Sequence, residues 1–359
     1  MTFKEITITR VIIHKIIGKT VKDPAYSEAS TDIHKLDPDT TTTLLDRIYS
    51  AVNKSKRFFE TQLDNTEKNS FWDYAKNISS LTKENFILST TQIADLAVEA
   101  HQSRNRPGGL LLIIDAKVDR LNAVIVIKAE LQQAFIINDN AVELIKELFL
   151  SPAKEFFKIG ILIHRDKKNV GKRSFDTYIY DDNFTPQKND LTSYFYSDFL
   201  GFSTHENDKL KTNNFMKDFI TFVDANVNDN ESRRLIKIKI KADYRESSSG
   251  IIDPSSYSEY FVNLGLDKLY QTRILSKFPR SFSKDISLVE GILTKSTLSI
   301  TNQLKLSGPS DLVDHVEIVN TDDLPKVQAL ITKIESRDIA KVIVIKTEAI
   351  NPNFYEGRN

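Results

Sequence analysis

Apolar positions recur along the chain in two rhythms, and the change from one to the other marks its parts. Ile6-Thr-Ile-Thr-Arg-Val-Ile-Ile-His-Lys-Ile-Ile17 is β-branched and partly alternating, which predicts one strand or two. Residues 21–40 carry Pro24, Pro38 and several Asp and Ser, and read as a loop. Thr40–Thr43 open a helix with Leu44, Leu45, Ile48, Val52 and Phe59 on one side, and a second helix runs from Lys83 to His101. After the turn Arg104–Gly109, the runs Leu110–Lys117 and Asn122–Ala129 predict an antiparallel hairpin closed by Val118–Leu121. Val142–Leu150 reads as a short helix, and Phe156–His164 with Phe175–Tyr180 as a further strand pair.

Beyond an acidic loop at Asp181–Asp190 lies a dense aromatic block, Tyr194-Phe-Tyr-Ser-Asp-Phe-Leu-Gly201. Phe215, Met216, Phe219, Ile220, Phe222 and Val223 follow at helical spacing. Together these predict a buried aromatic elbow feeding an amphipathic helix, which is core rather than chemistry. Arg233–Lys241 alternates strictly enough for a strand, yet its surroundings favour a helix. Tyr257–Phe278 reads as helix interrupted near Gly265. Leu298–Leu306, His315–Val319 and Lys341–Thr347 read as strands, with helix-like Leu324–Ile334 between the last two.

The expected fold class is α+β, because short turns between successive strands favour an antiparallel sheet over a parallel one. Two domains are expected: residues 1–185, an antiparallel sheet with flanking helices, and residues 186–359, a helical and strand-containing part starting at the elbow.

Charge changes the picture locally rather than globally. The chain has 49 Lys and Arg against 49 Asp and Glu, a net charge of zero. A phosphate-binding face must therefore be concentrated in clusters. Two stand out. Arg165–Arg173 is a basic loop holding Lys167, Lys168, Lys172 and Arg173. Arg233–Arg245 holds Arg233, Arg234, Lys237, Lys239 and Lys241. Flexible cations of this kind reach phosphates without reading bases; their plainer role is a solvated surface. Lys237→Glu with Lys239→Glu is expected to weaken DNA binding more than Lys167→Glu with Lys168→Glu. Arg273, Lys277, Arg280 and Lys284 form a thinner third patch, readable as a helix end plus loop.

Enzymatic signatures are sparse. The chain has no cysteine, which excludes disulfides and thiolate metal sites and suits a reducing cytoplasm. Its six histidines never fall at helical ligand spacing, and no phosphate-binding glycine loop or nucleophile elbow occurs. Asp115, Lys128 and Glu130 on the first hairpin are the nearest approach to a metal-dependent nuclease, but the usual acidic-x-lysine order is reversed. No metal, cofactor or catalytic residue is expected. The opening residues show no signal peptide, and no apolar run is long enough to span a bilayer.

The elbow also carries a resemblance. Phe195, Asp198, Phe199, Leu200 and Gly201, followed by Phe219, Val223 and Asp224, resemble the bacterial nucleoid-associated protein family of the NdpA/YejK type. So does the order of an early strand, a helix carrying Ile48–Lys54, central apolar strands and a strand-rich end. The resemblance implies a cytoplasmic, nucleoid-associated protein that binds double-stranded DNA without catalysis, as a homodimer. The alternative is a protein-interaction subunit of a DNA-handling or bacterial defence assembly, which the neutral net charge suits.

Overall fold

The computed structural model describes residues 2–102, 106, 108–130, 132–138, 141–148, 158–165, 174–186, 191–204, 207–246, 250–299 and 305–309, with isolated positions from 325 to 332. Its first part runs β1 (Ile6–Ile17), β2 (Tyr26–Glu28), α1 (Pro38–Tyr49), β3 (Phe58–Leu63), α2 (Phe71–Ala75) and α3 (Lys83–Gln102). Then come β4 (Gly109–Val118), β5 (Leu121–Ala129), β6 (Gln132–Asn138), β7 (Ala141–Leu148), β8 (Lys158–His164) and β9 (Phe175–Asp181). After the elbow follow β10 (Phe202–Ser203), α4 (Asp208–Asn226), α5 (Asn230–Glu246), β11 (Ile251–Ile252), α6 (Glu259–Val262) and α7 (Asp267–Tyr270). The described chain closes with β12 (Phe282–Ser283), α8 (Glu290–Thr294), β13 (Lys295–Ser299) and β14 (Lys305–Pro309).

Eight strands form one sheet in the order β10-β3-β9-β8-β5-β4-β1-β2. Every neighbouring pair is antiparallel. The expected α+β class is therefore found. Alternate residues of the central strands point to opposite cores. Leu111, Ile113, Val124, Val126 and Leu162 pack under α2, α3 and the elbow. Leu112, Ile114, Ile125, Ile127 and Ile161 pack against Leu44 and Ile48 of α1. A strand buried on both faces needs apolar residues at both parities, which is why β4 and β5 read as unbroken apolar runs. Asp119 and Arg120 close the hairpin with φ of 47° and 69°, the left-handed pair that a tight hairpin turn requires.

The structure divides into two compact units, residues 1–226 with 249–288 and residues 227–248 with 289–359. The elbow and the expected boundary at residues 185 and 186 both fall in the first.

The elbow is core, as the aromatic spacing predicts. It forms a π-helical turn over Tyr194–Phe199 with Phe195 and Phe199 buried. Phe71 of α2 meets the rings of Phe199 and Phe202 at 6.0 and 5.9 Å. Leu200 fills the space above Gly160 so closely that a Cβ there would lie 2.3 Å from its Cδ1. Gly201 has φ of +66°, and a Cβ on it would meet Asn65 Cβ at 2.6 Å. Its carbonyl also accepts from the Asp64 and Asn65 amides, at 2.8 and 3.0 Å. Gly201→Ala is expected to cost about 2 kcal/mol, summing left-handed strain and overpacking. Urea denaturation reads this directly, and a loss below about 0.5 kcal/mol, the usual size for a neutral site, would contradict it.

Several expectations are corrected. The helix expected over Val142–Leu150 is not found where the chain is described: Ala141–Leu148 is strand β7, paired with β6 from Asn138↔Ala141 onward. Its apolar spacing suits either period, and the adjacent strand decides. Phe59 does not lie on the first helix. That helix ends at Tyr49 and a π-turn at Ser50–Lys54, and Phe59 belongs to β3, a strand the periodicity did not predict. The loop at 21–40 contains β2, and α1 begins at Pro38 with Asp37 as cap, its Oδ1 accepting from the Thr40 amide at 2.8 Å. Leu298–Leu306 is not one strand but spans the hairpin β13–β14. Arg233–Lys241 is helical, and the helix of 257–278 does break at Gly265, where φ is +67°. His315–Val319 and Lys341–Thr347 lie outside the described residues, as does all of Leu324–Ile334 except isolated helical positions.

Candidate nucleic-acid interface

Asp229 starts α5, its carboxylate accepting from the Ser232 amide at 2.8 Å. Ile236, Ile240 and Tyr244, four residues apart, form the helix's buried stripe. Arg234, Lys237, Lys241 and Arg245 follow at steps of three and four, so they share the flank beside that stripe. Arg234 and Lys237 are half-buried and Arg245 is exposed. Lys239 is exposed on the opposite flank. The helix thus separates Lys237 from Lys239, which a strand would have aligned.

Arg233 and Lys241 also serve the fold. Arg233 turns back on the start of its own helix, donating through Nε and Nη2 to the Val227 carbonyl at 2.9 and 2.7 Å. Lys241 is only 9% exposed and reaches solvent least of the set. Snorkelling from such a position keeps an ammonium near the surface while its stem packs. The second basic cluster, with Lys167, Lys168, Lys172 and Arg173, lies outside the described residues. Its neighbour Arg165 pairs with Asp176 on β9.

Asp115, the first of the residues that suggested a nuclease, is otherwise engaged. Asp115 is 2% exposed. Its Oδ1 accepts from Ser79 Oγ at 2.6 Å, and its Oδ2 accepts from Arg10 Nε and Nη2 at 3.0 and 2.9 Å. Arg10 also donates to the carbonyls of Leu81 and Ile78, at 2.9 and 2.8 Å, and stacks over Phe86 at 4.3 Å. Both oxygens of Asp115 therefore hold the sheet to the α2–α3 connection. Asp115 pairs with Val124 whereas Lys128 pairs with Leu111, which puts the two about 13 Å apart along the hairpin. Among the described residues, no group of three acidic or histidine side chains could hold a metal ion.

Lys128 belongs instead to a buried polar row. It is in register with Lys158 on β8, and Lys158 with Asp181 on β9. All three side chains are buried. Burial pulls the Lys128 ammonium down to about 8 and also lowers Lys158. Lys128 donates to the Gly108 carbonyl at 3.0 Å. Asp181 accepts from the Thr192 amide at 2.7 Å, tying the row to the start of the elbow. Tyr194 covers it, with the Arg106 guanidinium over its ring at 3.9 Å and His101 edge-on at 5.1 Å. The row is thus part of the elbow's seat. Its lysines sit in apolar runs where nothing in the sequence marks them as paired with the elbow.

A family model described as nucleoid-associated protein YejK matches residues 12–251. The chain belongs to this family. The matched range takes in the sheet from Ile12 of β1 onward, the elbow, α4 and the whole of α5. No curated protein matches the chain. Membership gives the protein a place among nucleoid-associated proteins, and the elbow residues that carried the resemblance lie inside the match. No described helix is long and apolar enough to cross a membrane.

Proposed function

We propose that the protein is a non-catalytic, nucleoid-associated DNA-binding protein of the bacterial cytoplasm. It contacts the phosphates of double-stranded DNA with little sequence preference. The observation that carries this reading is the flank of α5, where Arg234, Lys237, Lys241 and Arg245 stand in one row within the family match. Cations spaced along one side of a helix meet successive phosphates and supply affinity that does not depend on base identity. Lys167, Lys168, Lys172 and Arg173 are proposed as further phosphate contacts, and Arg233 fixes the helix start from which the row departs. A homodimer presents the row twice and raises affinity through effective concentration.

The flank makes a specific prediction. Arg234→Glu with Lys237→Glu is expected to weaken duplex binding at low salt by about tenfold or more and to lower the salt slope by about two. Lys239→Glu, on the other flank, is expected to do much less. Fluorescence anisotropy with a labelled duplex measures both, and equal effects would remove this flank from the footprint.

A second reading is favoured by Leu235, which is 47% exposed on α5, and by the net charge of zero. On this reading α5 docks on a protein partner in a DNA-handling or defence assembly. An interface with a substantial apolar part resists added salt, whereas phosphate binding does not.

A further inference from the structure

Two segments distant in sequence bring cations to one cleft of the first unit. On α4, Lys211, Asn214 and Lys217 stand three residues apart and share a side. The facing wall is the segment 277–282, where Lys277 and Arg280 are exposed. The cleft between them has a volume of about 900 Å3, a size that suits a small ligand. Asp218 is its one acidic lining group among the described residues, and Lys277 Nζ holds the Asp218 carboxylate at 2.8 Å. Among the described lining residues, cations therefore outnumber carboxylates. Burial also holds the Lys217 ammonium below the usual lysine range, which an incoming anion would offset.

Rings stand beside these cations. Phe278 and Phe282 rest on Phe215 of α4, at 5.3 and 6.0 Å, which fixes their planes. Phe278 remains half-buried at the cleft, and half-buried Tyr196 of the elbow lines another side. Cations that track a phosphate backbone next to accessible ring faces are what an unpaired strand needs. A duplex keeps its base faces stacked inside and cannot offer them to these rings. An acidic peptide would use the cations but leave the rings idle.

We propose that this cleft binds a short run of single-stranded nucleic acid, with phosphates on Lys217, Lys277 and Arg280 and a base against Tyr196 or Phe278. The site is separate from the α5 flank. It lies in the other compact unit, and its 277–282 wall falls outside the family match at 12–251. Either reading can fail alone.

The test is anisotropy of a labelled ten-nucleotide oligothymidine with the full-length protein at low salt. Lys277→Gln with Arg280→Gln is expected to weaken binding by about tenfold or more, as loss of two phosphate contacts demands. Lys268→Gln with Arg273→Gln removes the same charge from exposed positions outside the cleft lining and is expected to leave binding within about threefold. Tyr196→Leu is expected to weaken binding by about fivefold or more through lost stacking, while Tyr196→Phe retains it. Decaglutamate is expected not to displace the oligonucleotide. The proposal is overturned if the oligonucleotide does not bind, if the two double variants behave alike, if Tyr196→Leu and Tyr196→Phe match the wild type, or if decaglutamate competes equally.

Discussion

Lowering the pH from 7 to 4 is expected to remove about 6 kcal/mol of folding stability through two buried histidines, about 3 kcal/mol from each. His14 lies in β1 and His101 near the end of α3, and both are buried. Burial is the main cause that lowers each from 6.5 to about 4; His34 adds to the effect at His14, and Asp95 opposes it. At His101 the nearby Lys128, Arg106 and Lys158 also disfavour the charged ring, while the Ala97 carbonyl opposes them. At His101, Nδ1 donates to the Ala97 carbonyl at 2.6 Å, so the added proton goes to Nε2, which has no acceptor; at His14, Nδ1 accepts from the Ser30 amide at 3.2 Å, so the added proton goes to Nδ1 and breaks that hydrogen bond. The sign follows from proton counts. Between pH 6.5 and 4 the unfolded chain binds protons that the folded chain does not, so stability falls with falling pH. Above 6.5 both states are neutral at these rings and the contribution is flat. His14→Gln and His101→Gln isolate each part. The stability gap between each variant and the wild type should change by about 3 kcal/mol in the variant's favour across that window. A gap that does not change with pH would show that the ring titrates normally in the folded state.

Asp115→Ala is expected to cost about 3–5 kcal/mol, because it leaves the Arg10 guanidinium largely buried without its counter-charge. The lost contacts are the Nε and Nη2 hydrogen bonds at 3.0 and 2.9 Å and the Ser79 hydroxyl at 2.6 Å. Removing both partners is milder: Arg10→Met with Asp115→Leu should recover most of the loss, since an apolar pair of similar volume needs no charge compensation. Equilibrium unfolding in urea measures all three. A loss below about 1 kcal/mol for Asp115→Ala, the level of an exposed ion pair, would contradict the clasp. The same variants separate clasp from chemistry, because a catalytic carboxylate would show itself in magnesium-dependent cleavage with stability unchanged.

Much of the fold was legible where apolar residues are dense and bounded by clear turns. The β4–β5 hairpin has strands of apolar residues at both parities and a short polar turn, and the elbow has rings too dense to leave in water. β7 was misread because Val142, Leu144, Ile145 and Leu148 fit a helix as well as a strand, and only pairing with β6 resolves them. β3 was absorbed into the preceding helix because its buried positions continue that helix's apolar count past the break at Ser55. The site was legible as charge density but not as geometry. Helical phase puts Lys237 and Lys239 on different flanks, commits Arg233 to the Val227 carbonyl and buries Lys241, none of which composition reveals. Asp115 looked like a candidate ligand because its partner Arg10 is more than a hundred residues away in the chain. The third basic patch supplies Lys277 and Arg280 to the cleft, but its other wall at Lys217 is about sixty residues earlier in the chain, so the sequence shows the two walls only separately. α4 announced itself by its apolar stripe, and its cations gain meaning only beside residues 277–282.

The most direct test of the account is duplex DNA binding by the wild-type protein, measured by fluorescence anisotropy across a salt series with and without magnesium, the DNA being recovered afterwards. The account predicts binding at low salt that weakens steeply and linearly on a logarithmic salt scale, the same with magnesium as without, and DNA recovered intact. No binding at low salt, binding indifferent to salt, or cleavage when magnesium is present would contradict it.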